Sequence, residues 1–130
     1  DVVTGDENAA SDVEYRCIFI HNAHAPLTWL GPVVFLSAET AGGANIAIAI
    51  DGVAASVIGA TVAQADEVAN EGTAPTGEAF SSPTTKATGL ALADLPAGQC
   101  RAIWLRRTAA NSVALDNDDV TIRVEGDTQA

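Results

Sequence analysis

The chain has no methionine, two cysteines, few aromatics and few bases, and each shortage closes off a class of function. Six Lys plus Arg stand against 17 Asp plus Glu, a formal net charge of -11. The overall field therefore repels phosphate backbones and anionic lipid surfaces, so neither nucleic acid nor a membrane is an expected partner. The longest apolar stretch, 53–63, is rich in small residues and falls short of the roughly 20 apolar residues that cross a bilayer as a helix. Cys17 and Cys100 lie too far apart in sequence for a CxxC redox or zinc motif. Two buried thiols acting as small apolar residues are the expected arrangement, with a disulfide between facing sheets as the alternative. No serine sits in a GxSxG elbow, and the glycine pair in "AGGA" at 41–44 leads into a strand, not a helix N-terminus that could hold phosphate. With no complete triad or ligand set, the chain is expected to be no enzyme and to carry no cofactor. A chain that lacks Met and begins at Asp1 is expected to be a processed product or part of a longer polypeptide.

What is present reads as β-structure. Ala, Val, Ile, Gly and Thr dominate, while aromatic residues are only 5%, which favours many short strands over long amphipathic helices. Residues 1–12 are polar and acidic and read as an N-terminal arm, whose Val2 and Val3 are candidates for docking. Period-two alternation begins at Val13: Val13, Tyr15, Cys17, Phe19 and His21 share one face, and Glu14, Arg16, Ile18 and Ile20 the other. Residues 27–38 read as one strand broken by Gly31-Pro32, where the missing N–H implies a bulge or an edge. Ile46, Ile48 and Ile50 alternate with small residues up to Asp51-Gly52, a hairpin turn signal. Residues 53–64 lean to strand, and 65–86 form a loop long enough to suggest contact with a partner. Strands are expected again over 87–92, 99–108, 113–115 and 120–125. Seven or eight short strands with no long helix make an all-β antiparallel sandwich of jelly-roll or immunoglobulin-like type, one domain over 13–130. The blocks "EYRCIFIHN" and "LPAGQCRAIWLRRT" are expected as its central strands, with Ile18, Phe19, Ile103, Trp104, Leu105, Val120, Ile122 and Val124 in or bordering the core.

Candidate chemistry is sparse. His21 and His24 lack a third metal ligand and read as hydrogen-bonding groups at a strand end. Asp116, Asn117, Asp118 and Asp119 could offer calcium oxygens, but the segment lacks the central Gly and distal Glu of an EF-hand loop and reads as a solvated turn. Arg16, Arg101, Arg106, Arg107 and Arg123 are five of the six bases. They read either as cross-strand partners of acids or, for Arg16, Arg106 and Arg107, as ion pairs to a neighbouring subunit.

The run "VTGDENAASDVEYRCIFIHN" and the stretch from "TAPTGEAF" to "TIRVEGD" resemble small virion structural and tail-associated proteins of tailed bacteriophages. The elements that carry this resemblance are Asp12, Glu14, Tyr15 and Arg16 after an acidic segment, then Pro96, Gly98 and Gln99 before Trp104, Arg106 and Arg107. Ser11-Asp12 stands where the family has Gly-Asp or Ala-Asp, and 29–64 match little. The resemblance implies a noncatalytic, multicopy component of the virion, attached to the tail or decorating the head. Its partners would be copies of itself and other virion proteins, with Arg16, Arg106, Arg107, Val2 and Val3 at the interface. A carbohydrate-binding module that recognises host glycans through Trp29 and Tyr15 is the alternative.

Overall fold

The strand expected over 99–108 forms as β6, Gln99–Thr108, and the rest of its sheet assembles around it. In the computed structural model, which describes residues 5–111 and 117–128, the other strands are β1 (Val13–His21), β2 (Trp29–Glu39), β3 (Asn45–Ile50), β4 (Ser56–Val57), β5 (Leu90–Ala91) and β7 (Val120–Thr128). A six-residue helix, Gly5–Ala10, precedes β1, and a 3-10 turn, Lys86–Thr88, precedes β5. All pairings are antiparallel. One sheet runs β1-β6-β3, with β4 extending the β3 side of β6; the other runs β5-β2-β7.

Between the sheets, Val34 and Leu36 of β2 meet Ile48 of β3 and Ile103 of β6, with Leu92 beside them. Ile20, Ile46, Ile50, Leu90, Leu105, Val120, Ile122 and Val124 pack around this centre. These alternating apolar faces make the expected β-sandwich, because a period-two strand buries every second residue against the facing sheet. Pro32 is buried at a bulge inside β2, which is the central strand of its sheet. There its lack of an N–H interrupts no ladder bond. Gly126 of β7 lies opposite this bulge, where an added Cβ would sit 2.6 Å from the Trp29 Nε1 and 2.8 Å from the Leu30 carbonyl oxygen.

β6 is covered on both faces. Ile103 and Leu105 face the second sheet, while Ala102 and Trp104 point the other way and are nevertheless buried. The segment after β3 supplies the cover. Asp51 accepts the Trp104 indole N–H at 2.7 Å, Gln64 Nε2 reaches Cys100 Sγ at 3.4 Å, and Phe80 meets the Tyr15 ring edge-on with the Arg106 guanidinium over its own ring.

Several expectations change. Asp51-Gly52 does not turn a hairpin. Asp51 is fully buried, and its carboxylate accepts from Val53 N, Asp66 N and Trp104 Nε1, so local turn chemistry gives way to a long-range hydrogen-bond set. Strand structure over 53–64 shrinks to β4, and over 87–92 to β5. The strand expected over 113–115 lies outside the described residues. β1 is an edge strand, not a central one, which is why Ile18 (37% exposed) and Phe19 (48%) are not core residues. The long loop is tied to its own domain: Ser81 exchanges both backbone bonds with Ile48, Pro83 O accepts from Leu36 N, and Glu71 O accepts from Tyr15 N.

Candidate interaction surface

Three of the five arginines singled out in the sequence were assigned to a partner, and the structure gives each of these a contact within the chain. Arg107 lies opposite Glu14 in the β1-β6 register, and the two form an ion pair at 2.6 Å with Glu14 buried. The guanidinium of Arg106, on the opposite face, sits 5.2 Å from the Phe80 ring centre. Arg16 pairs with Glu71 at 3.1 Å, both side chains about half exposed. Cross-strand pairing therefore accounts for Arg107, while Arg106 and Arg16 fasten the long loop to the sheet. Arg101, buried at its Nε, donates to the carbonyls of Leu92 and Asp51 and so links β6 to the residues that follow β5 and β3. Val2 and Val3 lie outside the described residues.

The hydrogen bonds at the end of β1 belong to Asn22, not to His21 or His24 as expected. Buried Asn22 donates through Nδ2 to the carbonyls of Leu27 and Leu95 and accepts the His24 N–H, while its backbone bonds Gln99 and Gly98. An Asn between two strands is an ordinary turn residue in sequence, so only its burial reveals this role. Among the described members of the acidic turn, Asp118 accepts from Ala44 N and Asp119 from the Thr40 hydroxyl. These carboxylates fasten the β7 entry to the Ala41–Gly43 corner. Asp116 lies outside the described residues.

A second acidic group, missed in the sequence, comes together in space. Asp51, Asp66 and Glu78 bring carboxylate oxygens within 4.8 Å of one another. Asp51 and Glu78 use theirs on backbone N–H groups, including Gly52 N to Glu78 Oε1 at 2.8 Å. Because these internal donors compensate the buried charge, a chelator is expected to leave the melting temperature unchanged. A fall on chelation that calcium restores would assign an ion to this trio or to the acidic turn.

Cys17 and Cys100 are free thiols in the same sheet. Cys17 lies opposite Trp104 and Cys100 opposite His21, so the strand register holds them apart and rules out the disulfide considered from sequence. Burial, then the Asp51 carboxylate, push the Cys17 thiol up from an ordinary 9.0 to about 11. At pH 8 its thiolate fraction is then about a hundredfold below that of an ordinary thiol, and alkylation followed by mass spectrometry should show Cys17 slower by that order. Unfolding should abolish the difference. Since the unfolded thiol ionises first, stability should fall as pH rises from 9.0 towards 11.

The aromatic pair proposed for sugar binding is split. Tyr15 lies near the start of β1 against Phe80, whereas Trp29 opens β2 in the other sheet, bridged to Leu95 and packed on Gly126. The two form no common platform.

The sides of the sandwich differ. On one side, Ser81 pairs with the outer edge of β3 and Pro83 then bonds β2, so a single step of chain seals the β3 and β5 flanks together. Ile46 on that edge is also satisfied, by Glu39 at its N–H and by Ser82 at its carbonyl. The opposite side is formed by the free edges of β1 and β7. Tyr15 N bonds outward to Glu71 and Asn22 N bonds inward to Gln99, so alternation aims the N–H and C=O groups of Cys17, Phe19 and His21 outward. Among the described residues none of these three N–H groups has a partner. Val57 of β4, on the β3 side of β6, and Ile58 and Val62 after it are each more than half exposed. Among the described residues no helix is long and apolar enough to cross a membrane. Searches of protein-family models, curated proteins and solved structures found no match to this chain.

Proposed function

We propose that the protein is a noncatalytic structural component of a tailed-phage virion, present in many copies, tail-associated or seated on the head as a decoration protein. It joins neighbours through the open β1 side of its sandwich. The observation that carries the reading is this unsealed edge, where unpaired backbone groups run beside exposed Ile18 and Phe19. A bare apolar edge attracts other chains, and proteins that act alone usually block such edges with charge, proline or covering segments. The β3 flank has that protection and the β1 flank lacks it. The resemblance of 12–22 and 96–107 to small virion proteins supports the same reading, and the acidic surface keeps the free subunit soluble at high copy number.

The test is quantitative protein analysis of purified particles. The chain should be present in many copies per particle, and removing residues 1–11 should lower its occupancy severalfold while hardly moving the melting temperature of the free domain. Asp12 is retained because its carbonyl accepts from Ala109 N and its carboxylate from Val13 N. A chain found in the lysate but absent from particles would overturn the proposal.

A further inference from the structure

We infer that the free span of β1, Cys17–Ile18–Phe19–Ile20–His21, pairs antiparallel with the same span of a second copy about a two-fold axis at Phe19. This joins two β1-β6-β3 sheets into one continuous sheet. The inference deepens the assembly reading and rests on it for its purpose, but its geometry stands alone.

Three observations select this partner. First, the outward N–H and C=O groups of Cys17, Phe19 and His21 form a row whose spacing matches another extended backbone. Second, the span is bounded and symmetric. Glu71 already occupies the outward N–H of Tyr15, and β1 ends at His21, so the free stretch is five residues centred on Phe19. With a two-fold there, Phe19 exchanges both backbone bonds with its copy, Cys17 meets the copy's His21, and Ile18 meets the copy's Ile20. Ile18 and Ile20 share the face directed at the second sheet, where Ile20 already touches the core and Ile18 is left 37% exposed. Pairing them across the axis covers the apolar material that β1 leaves open. Third, charge favours this edge over its neighbour. The span holds no acidic residue in a chain of net charge -11, whereas β7 carries Glu125 near its centre, where a two-fold would set that carboxylate against its own copy. The remaining acidic surfaces repel at a distance that salt screens, with a Debye length of about 8 Å at physiological ionic strength. Dimerisation should therefore strengthen with added salt.

The test is sedimentation of the full chain across concentration and salt, with three variants. Phe19→Lys places two ammonium groups across the axis. Phe19→Pro removes the N–H that would bond the copy and leaves the β1-β6 ladder intact, because that N–H points away from β6. Val62→Lys, at an exposed apolar residue off the edge, is the control. The wild type and Val62→Lys should form dimers that tighten with salt, and both Phe19 variants should raise the dissociation constant by more than about tenfold, equivalent to about 1.4 kcal/mol. Thermal unfolding of the monomers shows that each variant is folded. A wild type that stays monomeric at high salt and concentration overturns the inference. So does a dimer that survives in both Phe19 variants, or one that Val62→Lys dissolves equally. A monomeric wild type whose Phe19→Lys form no longer enters particles overturns self-pairing yet leaves the virion role standing, with β1 serving a different virion protein.

Discussion

Replacing Trp104 by Ala is expected to destabilise the protein by about 3–5 kcal/mol, the cost of emptying a large buried aromatic site. The loss compares with a total stability of about 5–15 kcal/mol for domains of this kind, so the variant would be marginal. Two effects combine at this position. The indole fills the space between β6 and the segment that crosses its outer face, and its Nε1 donates to Asp51, which is fully buried. Trp104→Phe separates them: most of the ring remains, while Asp51 Oδ2 loses one of its two donors and keeps Asp66 N, and one hydrogen bond to a charged group is worth about 1.5–3 kcal/mol. Denaturant unfolding of the two variants gives both values. A Trp104→Ala protein as stable as wild type would mean that the cover over β6 contributes nothing to the cooperative unit.

The second large effect is expected at Arg107. Its ion pair with Glu14 is mostly shielded from water, with the Arg107 side chain 23% exposed and that of Glu14 8%. Removing the guanidinium leaves a buried carboxylate without its partner, and breaking such a pair costs about 3–5 kcal/mol when fully buried. The partial exposure of Arg107 places Arg107→Ala towards the lower end of that range. Glu14→Leu combined with Arg107→Met should recover most of the loss, because no lone charge then stays buried. Arg16→Ala is the contrast: both members of the Arg16–Glu71 pair are about half exposed, so water and salt screen it and the change should be within about 1 kcal/mol. Unfolding free energies at neutral pH test the set. Equal costs at Arg107 and Arg16 would contradict the difference in burial on which the prediction rests.

How much of this was legible beforehand differs from element to element. The bounds of β3 and β6 follow from alternation in "NIAIAI" and "QCRAIWLRRT", because period two is a local property of a half-buried strand. The bulge at Gly31-Pro32 was legible for the same reason: proline lacks a donor wherever it sits. Asp51 was misread because Asp-Gly is a strong local turn signal, whereas its role depends on Trp104, 53 positions away. The length of the 65–86 loop points to contact with a partner, yet its order comes from its own domain. It is held by backbone bonds at Glu71, Ser81 and Pro83 and by the single ring of Phe80, and composition records none of these.

By itself the sequence determined an acidic all-β chain, the faces of its strands and the position of its main core strand, since charge and alternation act within a few residues of one another. Only the tertiary structure decided that β1 is an edge and not a second central strand, that Arg107 is tied to Glu14 and Arg106 set over Phe80, and that one side of the sandwich is sealed while the other is open. Those outcomes depend on which strands pair across long stretches of chain. Strand order carries no local signature, because an edge and a centre strand can share the same alternation and differ only in what lies beside them.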